Sequence, residues 1–174
     1  MLLVHDLNKD LEKEFLPCLN SDTKVFSKEM SNIHPCIGCF NCWIKTPGKC
    51  VINDDYTEIP KYIVQNDIYL VISSIRYGCY SPYIKNFIDR SIGFLLPFFR
   101  LVNGEIHHAI RYDKIPKLVY IGYGDHINNE EKETFKNLVQ GNAINFGRKT
   151  CDVFFAENIE SLKTILLGLK EDKR

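Results

Sequence analysis

Apolar residues recur along this chain with two alternating periods. Met1 to His5 opens as a short apolar strand, and Leu7, Leu11, Phe15 and Leu16 follow at the spacing of one helix face, closed by Pro17. Thr23 to Met30 reads as a second extended run, with Val25 and Ser27 on one face. Thr57 to Gln65 reads as a helix, with Asp54 or Asp55 placed to cap it. Ile68-Tyr69-Leu70-Val71-Ile72 is unbroken apolar sequence, the pattern of a strand covered on both faces in a parallel sheet. A polar loop from Ser73 to Tyr80 comes next, then a helix from about Ser81 whose Ile84, Phe87, Ile88, Ile92 and Leu95 form one stripe.

Asn103-Gly104 between two extended arms predicts a β-hairpin over residues 98–112, inserted before the next core strand. Lys117 to Tyr123 and Cys151 to Ala156 read as strands, with helices over Glu130 to Phe146 and Glu160 to Leu169. Five strands alternating with five helices predict an α/β doubly wound sheet. Ligands in such sheets sit outside the carboxyl ends of the strands, where the strand order reverses. Three loops are expected to meet there: Asp6 to Asp10, Ser73 to Tyr80 and Gly122 to His126.

Composition narrows the partners. Lys and Arg total 22 and so do Asp and Glu, so no net field favours nucleic acid or an anionic membrane surface. Ile92 to Phe99, the longest apolar stretch, is far short of the roughly 20 residues that span a bilayer. The amino terminus has no basic start or cleavage site of an export signal, which predicts a cytoplasmic protein. The 174 residues are long enough for one domain with a continuous core.

Seven cysteines without an export signal point to thiols, metal ligation or redox chemistry rather than a disulfide framework. Four of them lie in the loop-like segment 35–50. Cys36, Cys39, Cys42 and Cys50 form a C-x2-C-x2-C-x7-C pattern, and Gly38 eases its tight winding. Consecutive x2 spacings let three thiolates face one point while the fourth closes the cage, as a [4Fe-4S] cluster requires. Four thiolates also suit zinc, although zinc usually takes two separated knuckles, and a loop without metal, with Cys36 and Cys39 as packed small side chains, is an equal alternative to the cluster.

Cys36-Ile-Gly-Cys-Phe-Asn-Cys-Trp43 and Gly48-Lys-Cys-Val-Ile-Asn-Asp-Asp55 resemble a segment of the NAD(P)H-dependent FMN reductase and iron-sulfur flavoprotein family. So do Tyr77-Gly78 and the following Ser81, Lys85, Phe87, Ile88, Asp89 and Arg90. The resemblance implies one flavodoxin-like domain over residues 1–174, with sheet order 2-1-3-4-5. It also implies FMN, a nicotinamide cofactor or small electron acceptor as partner, a [4Fe-4S] cluster in some members, and a homo-oligomer. The family's Gly-Ser-Pro-Arg phosphate loop is replaced here by His5-Asp6-Leu7-Asn8-Lys9-Asp10, which leaves Asn8, Lys9 and the helix amides as phosphate donors. The flavin is expected against Ser74, Ile75, Arg76, Tyr77, Gly78, Cys79 and Gly124. Three functions stay open: an FMN-dependent oxidoreductase, a flavodoxin-fold binding or assembly protein that has lost FMN, or a protein with metal but no flavin that acts as an electron carrier or metal-stabilised scaffold.

Other candidates read as structural. His107 and His108 are neighbours on a strand and must point to opposite faces, one of them to solvent. His5 and His126 lie near the ligand edge, where a hydrogen-bonded structural histidine is the simpler reading. Lys85, Asp89 and Arg90 suit a surface ion-pair network on a helix. Cys18 and Cys151 read as packed side chains, and the surplus of apolar residues from Phe94 to Leu101 reads as an interface.

Overall fold

A computed structural model describes residues 1–19, 21–29 and 33–171; the side chains of residues 18, 170 and 171 are outside the description, as is Met30 at the end of the second extended run. Five parallel strands form one sheet: β1 (Leu2–His5), β2 (Lys24–Ser27), β3 (Ile68–Ser74), β6 (Lys117–Tyr123) and β7 (Asp152–Ala156). Their order is β2-β1-β3-β6-β7, which is the predicted 2-1-3-4-5 order once the hairpin strands are set aside. The hairpin is β4 (Leu95–Val102) paired with β5 (Glu105–Ile110), and Asn103 and Gly104 both take the positive φ that its two-residue turn demands.

Alternation along the central strands explains the layering. Tyr69 and Val71 of β3, with Leu118 and Tyr120 of β6, pack on one side against α3 (Ile59–Val64), α4 (Pro82–Arg90) and α5 (Asn129–Asn145). Leu70, Ile72, Val119 and Ile121 pack on the other side against α1 (Lys9–Phe15) and α6 (Ile159–Glu171). Both faces of β3 are therefore dry, as its unbroken apolar run requires.

Two predicted elements change. The helix expected from Ser81 through Leu95 ends at Arg90, and a 3-10 turn over Ser91–Phe94 leads directly into β4. Ile92 and Leu95 mimicked a continued stripe, but Leu95 already pairs with Ile110 in the hairpin. Asp54 does not cap α3, whose N-cap is Glu58 without a side-chain bond. The cysteine segment also holds one short helical turn, α2 (Asn41–Ile44).

His5, expected at the ligand edge, is instead fully buried beside Phe15, with neither ring nitrogen hydrogen-bonded among the described residues. Burial pulls its pKa from 6.5 down to about 4, slightly opposed by Asp6. The folded protein binds the imidazole proton more weakly than the unfolded chain, so this contribution is intact above pH 6.5 and is lost as pH falls through about 4. The shift corresponds to about 3 kcal/mol. His5→Phe is expected to flatten the fall in urea-unfolding stability between pH 6.5 and 4; an unchanged slope there would assign that fall to other groups.

Candidate functional site

Two cavities flank opposite ends of α4. The first, about 510 Å³, lies at the carboxyl ends of the strands beside the β1/β3 switch point. Asp6, Lys28, Ser74, Ile75, Arg76, Ser81, Tyr83, Tyr123, Gly124, His126 and Glu131 are among its lining residues. The second, about 370 Å³, is lined by all four clustered cysteines together with Phe40, Ile52, Ile88, Asp89, Arg90, Phe94 and Phe146. Ser81, Pro82 and Tyr83 at the start of α4 face the first cavity, and Ile88, Asp89 and Arg90 at its end face the second.

At the first cavity the β1–α1 loop satisfies itself. The Asp6 carboxylate accepts the Ser74 backbone N–H at 3.0 and 3.2 Å and the Ser74 hydroxyl at 2.7 Å. Tyr123 donates its hydroxyl to the Asp6 carbonyl oxygen at 3.2 Å, and burial together with Asp6 pushes that phenol up, so it stays protonated. Asn8 accepts the Leu11 amide at 2.9 Å as the N-cap of α1, and Lys9 pairs with Glu29 at 3.8 Å. Neither residue lines the cavity, and the phosphate cradle expected of this loop is replaced by an internal carboxylate.

The loop after β3 is a tight turn. Arg76 and Cys79 exchange both backbone hydrogen bonds, at 3.0 and 2.9 Å, around Tyr77 and Gly78 in left-handed conformation. Those amides hold the turn rather than face a ligand. Gly78 is obligatory twice over, by its φ of 74° and because a Cβ would lie 2.6 Å from Thr134. Tyr77 stands 95% exposed beside the cavity. Of the residues expected against the flavin, Ser74, Ile75, Arg76 and Gly124 line this cavity, while Tyr77, Gly78 and Cys79 are outside its lining. Tyr123 lies in the Gly122 to His126 loop expected at this edge, whereas Lys28, Tyr83 and Glu131 join the lining without a sequence signal, because only the sheet order brings those segments together.

At the second cavity, Gly38 and Phe40 both adopt positive φ and wind the chain between Cys36 and Cys42. The Gly48 amide then turns back onto the Cys42 carbonyl at 2.9 Å, and Cys50 is anchored by the Thr57 carbonyl. Burial and the three neighbouring cysteines raise the Cys42 pKa, which places the four thiols in mutual electrostatic reach. Among the described residues, no three His, Cys, Asp or Glu side chains converge as one metal ion requires. The four thiols line one cavity, and four thiolates are a ligand set that a [4Fe-4S] cluster or a zinc ion can use.

The chemistry missed in sequence is Arg90. It is not part of the exposed Lys85–Asp89 pair, which closes at 2.6 Å on the helix surface. Its side chain is wholly buried. Two of its nitrogens bind the two Asp54 oxygens at 2.8 Å each, and one also donates to the His34 carbonyl at 2.7 Å. Asp54 in turn accepts the His34 and Tyr56 amides. Burial would raise the Asp54 pKa, but the Arg90 guanidinium and these amides outweigh it and hold it at about 2. Nε of Arg90 makes no well-formed hydrogen bond among the described residues, while the Cys50 side chain stands near enough to favour the guanidinium charge through charge and hydrogen bonding. A buried N–H left unpaired costs about 1–3 kcal/mol.

The remaining candidates are structural. Neither hairpin histidine faces open solvent: His107 binds Asn145 and Glu105, and His108 packs between Trp43 and Phe99. Cys151 donates weakly to the Val139 carbonyl, and the Cys18 side chain lies outside the described residues. Phe94 is core, whereas Phe98, Phe99 and Leu101 are exposed on the hairpin.

No protein-family model matches the chain. Over 79 residues it is 38% identical to an iron-sulfur flavoprotein of Methanocaldococcus jannaschii; the match spans 43% of this chain and 40% of that protein, well under half of the relative's length. An FMN-dependent NADH-azoreductase of Bacillus anthracis, solved in complex with FMN, superposes with a TM-score of 0.58 at 10% identity, covering 98% of this chain and 97% of that one. An NAD(P)H:quinone oxidoreductase of Methanothermobacter marburgensis gives 0.59 at 13% identity, covering 98% and 95%. Asp54→Asn is expected to cost about 3–5 kcal/mol in urea unfolding, because it breaks a buried pair from one side; a loss under about 1 kcal/mol would show the clamp to be dispensable. The chain has the flavodoxin-like fold of these reductases, and the sequence it resembles is that of an iron-sulfur flavoprotein.

Proposed function

We propose that this protein is a flavin-dependent oxidoreductase with a [4Fe-4S] cluster held by Cys36, Cys39, Cys42 and Cys50. The observation that carries this reading is that one helix of nine residues, α4, lines both the carboxyl-edge cavity and the four-cysteine cavity. At 1.5 Å per residue its two ends lie about 13 Å apart, so two redox groups would share one rigid support.

The first cavity suits a flavin nucleotide only with its anionic end moved off the β1–α1 loop. Asp6 presents a carboxylate there, Asn8 caps the Leu11 amide of α1, and Lys28 and Arg76 are the cations that line the cavity. Arg76 has no carboxylate within ion-pair distance among the described residues, which leaves its charge for a ligand. Tyr77 offers an exposed aromatic face beside it, and His126 stands in the lining. A bound flavin would supply both hydride and single-electron chemistry. The chain's own residues would hold it, exclude water with Ile75 and Tyr83, and keep the Tyr123 proton in place.

NAD(P)H as donor and a small electron acceptor are consistent with the flavin-dependent reductases that share the fold. A cytoplasmic setting would keep the thiols reduced. The exposed Phe98, Phe99, Leu101 and Ile106 of the hairpin support a homo-oligomeric interface. The self-satisfied Asp6 loop is the one observation that favours the alternative, a flavodoxin-fold binding or assembly module without FMN.

Anaerobically purified protein is expected to take up FMN, with bands near about 375 and 450 nm, and to carry about four irons and matching sulfide per chain. Cys39→Ser is expected to lower the iron content without removing flavin uptake. A featureless spectrum that FMN does not change, with no iron, would leave the binding module as the reading.

A further inference from the structure

Arg90 is a wholly buried cation whose hydrogen-bonding is incomplete in one direction. Its terminal nitrogens engage Asp54 end-on, one bond to each carboxylate oxygen, and His34 takes a third. This fork leaves the Nε edge of the guanidinium turned away from Asp54. Nε is buried without a well-formed hydrogen bond among the described residues, while Arg90 and the four cysteines line the same cavity. Buried polar groups are rarely left unpaired in a packed interior, so an orphan N–H at a cavity wall points to an acceptor that belongs in the cavity.

Cys50, on the wall of the same cavity and near enough to favour the guanidinium charge, is the group placed to accept it. A neutral thiol accepts hydrogen bonds poorly, whereas a metal-bound thiolate accepts a charge-assisted bond from a guanidinium. We propose that Arg90 is a positioning residue for the cluster: its Nε–H donates to the Cys50 thiolate when the cluster is bound, and Asp54 fixes the guanidinium in the orientation that allows this. The inference rests on the cluster reading above. Its chemical consequence concerns the electron. One-electron reduction adds a negative charge to the cluster and its thiolates, and an N–H donor stabilises that charge more in the reduced form, so Arg90 raises the reduction potential.

Arg90→Lys keeps a cation for Asp54 and removes the Nε–H. In anaerobically reconstituted full-length protein it is expected to retain about four irons per chain. Its midpoint, read by redox titration with dithionite as reductant, is expected to move negative enough to change the reduced-to-oxidised ratio at least tenfold, about 59 mV for a one-electron couple. A second measurement needs no variant: reduced wild-type protein grown with 15N-arginine is expected to show a 15N coupling to the cluster spin by electron-nuclear double resonance. Wild-type protein that holds no iron would overturn the cluster reading, and this inference with it. Wild-type protein that holds its irons but shows no arginine coupling, or an Arg90→Lys protein with an unshifted midpoint, would overturn the role of Arg90 and leave the cluster reading standing.

Discussion

The buried pair between Arg90 and Asp54 is the contact on which the cysteine segment depends. Asp54 follows Cys50, His34 precedes Cys36, and one guanidinium at the end of α4 binds both. The His34 amide also donates to Asp54, which closes the 20-residue segment on itself at its two ends. Closing a flexible loop of that length costs roughly 3 kcal/mol of chain entropy. A buried ion pair is a poor source of net stability by itself, since desolvation consumes much of the attraction. Here its role is registration: it fixes where the loop begins and ends relative to a helix that is itself packed on the sheet through Ile84 and Phe87.

The opposite end of α4 is arranged differently. In a doubly wound sheet the switch point leaves unpaired backbone groups between neighbouring strand ends, which is why ligands collect there. This chain meets them with an aspartate. Asp6 bridges from β1 to the last residue of β3, and Asn8 caps the helix that follows. The cations that face the cavity come from elsewhere: Lys28 after β2 and Arg76 after β3. The positive charge at this sheet edge therefore comes from the second strand's exit and the turn beyond the third, and the first loop contributes a carboxylate.

How much of this could be read from the sequence depended on whether the signal was local. The dry run from Ile68 to Ile72 and the Asn103-Gly104 turn are written in adjacent residues, and both emerged in place. The C-x2-C-x2-C-x7-C spacing likewise brought four cysteines to one cavity. Arg90 and Asp54 were each visible but misassigned, because the rules that apply within a few residues offered each a plausible local partner, a helix-surface pair for the arginine and a helix terminus for the aspartate. Their real partners are 36 positions apart. The end of α4 was missed for a related reason, since Ile92 and Leu95 kept the helical spacing while the chain had already turned into the hairpin. His5 looked like an edge residue by its position, and only the packing of α1 across it shows that it is core.

The clamp also bears on metal binding. Small zinc-binding domains acquire metal and fold in a single step, since nothing else orders their ligands. In this protein the winding at Gly38 and Phe40, the return at Gly48 and the closure by Arg90 are all made by protein groups. The cluster proposed above would therefore be one contact among several that shape this segment, beside the winding, the return and the clamp that the protein's own groups make.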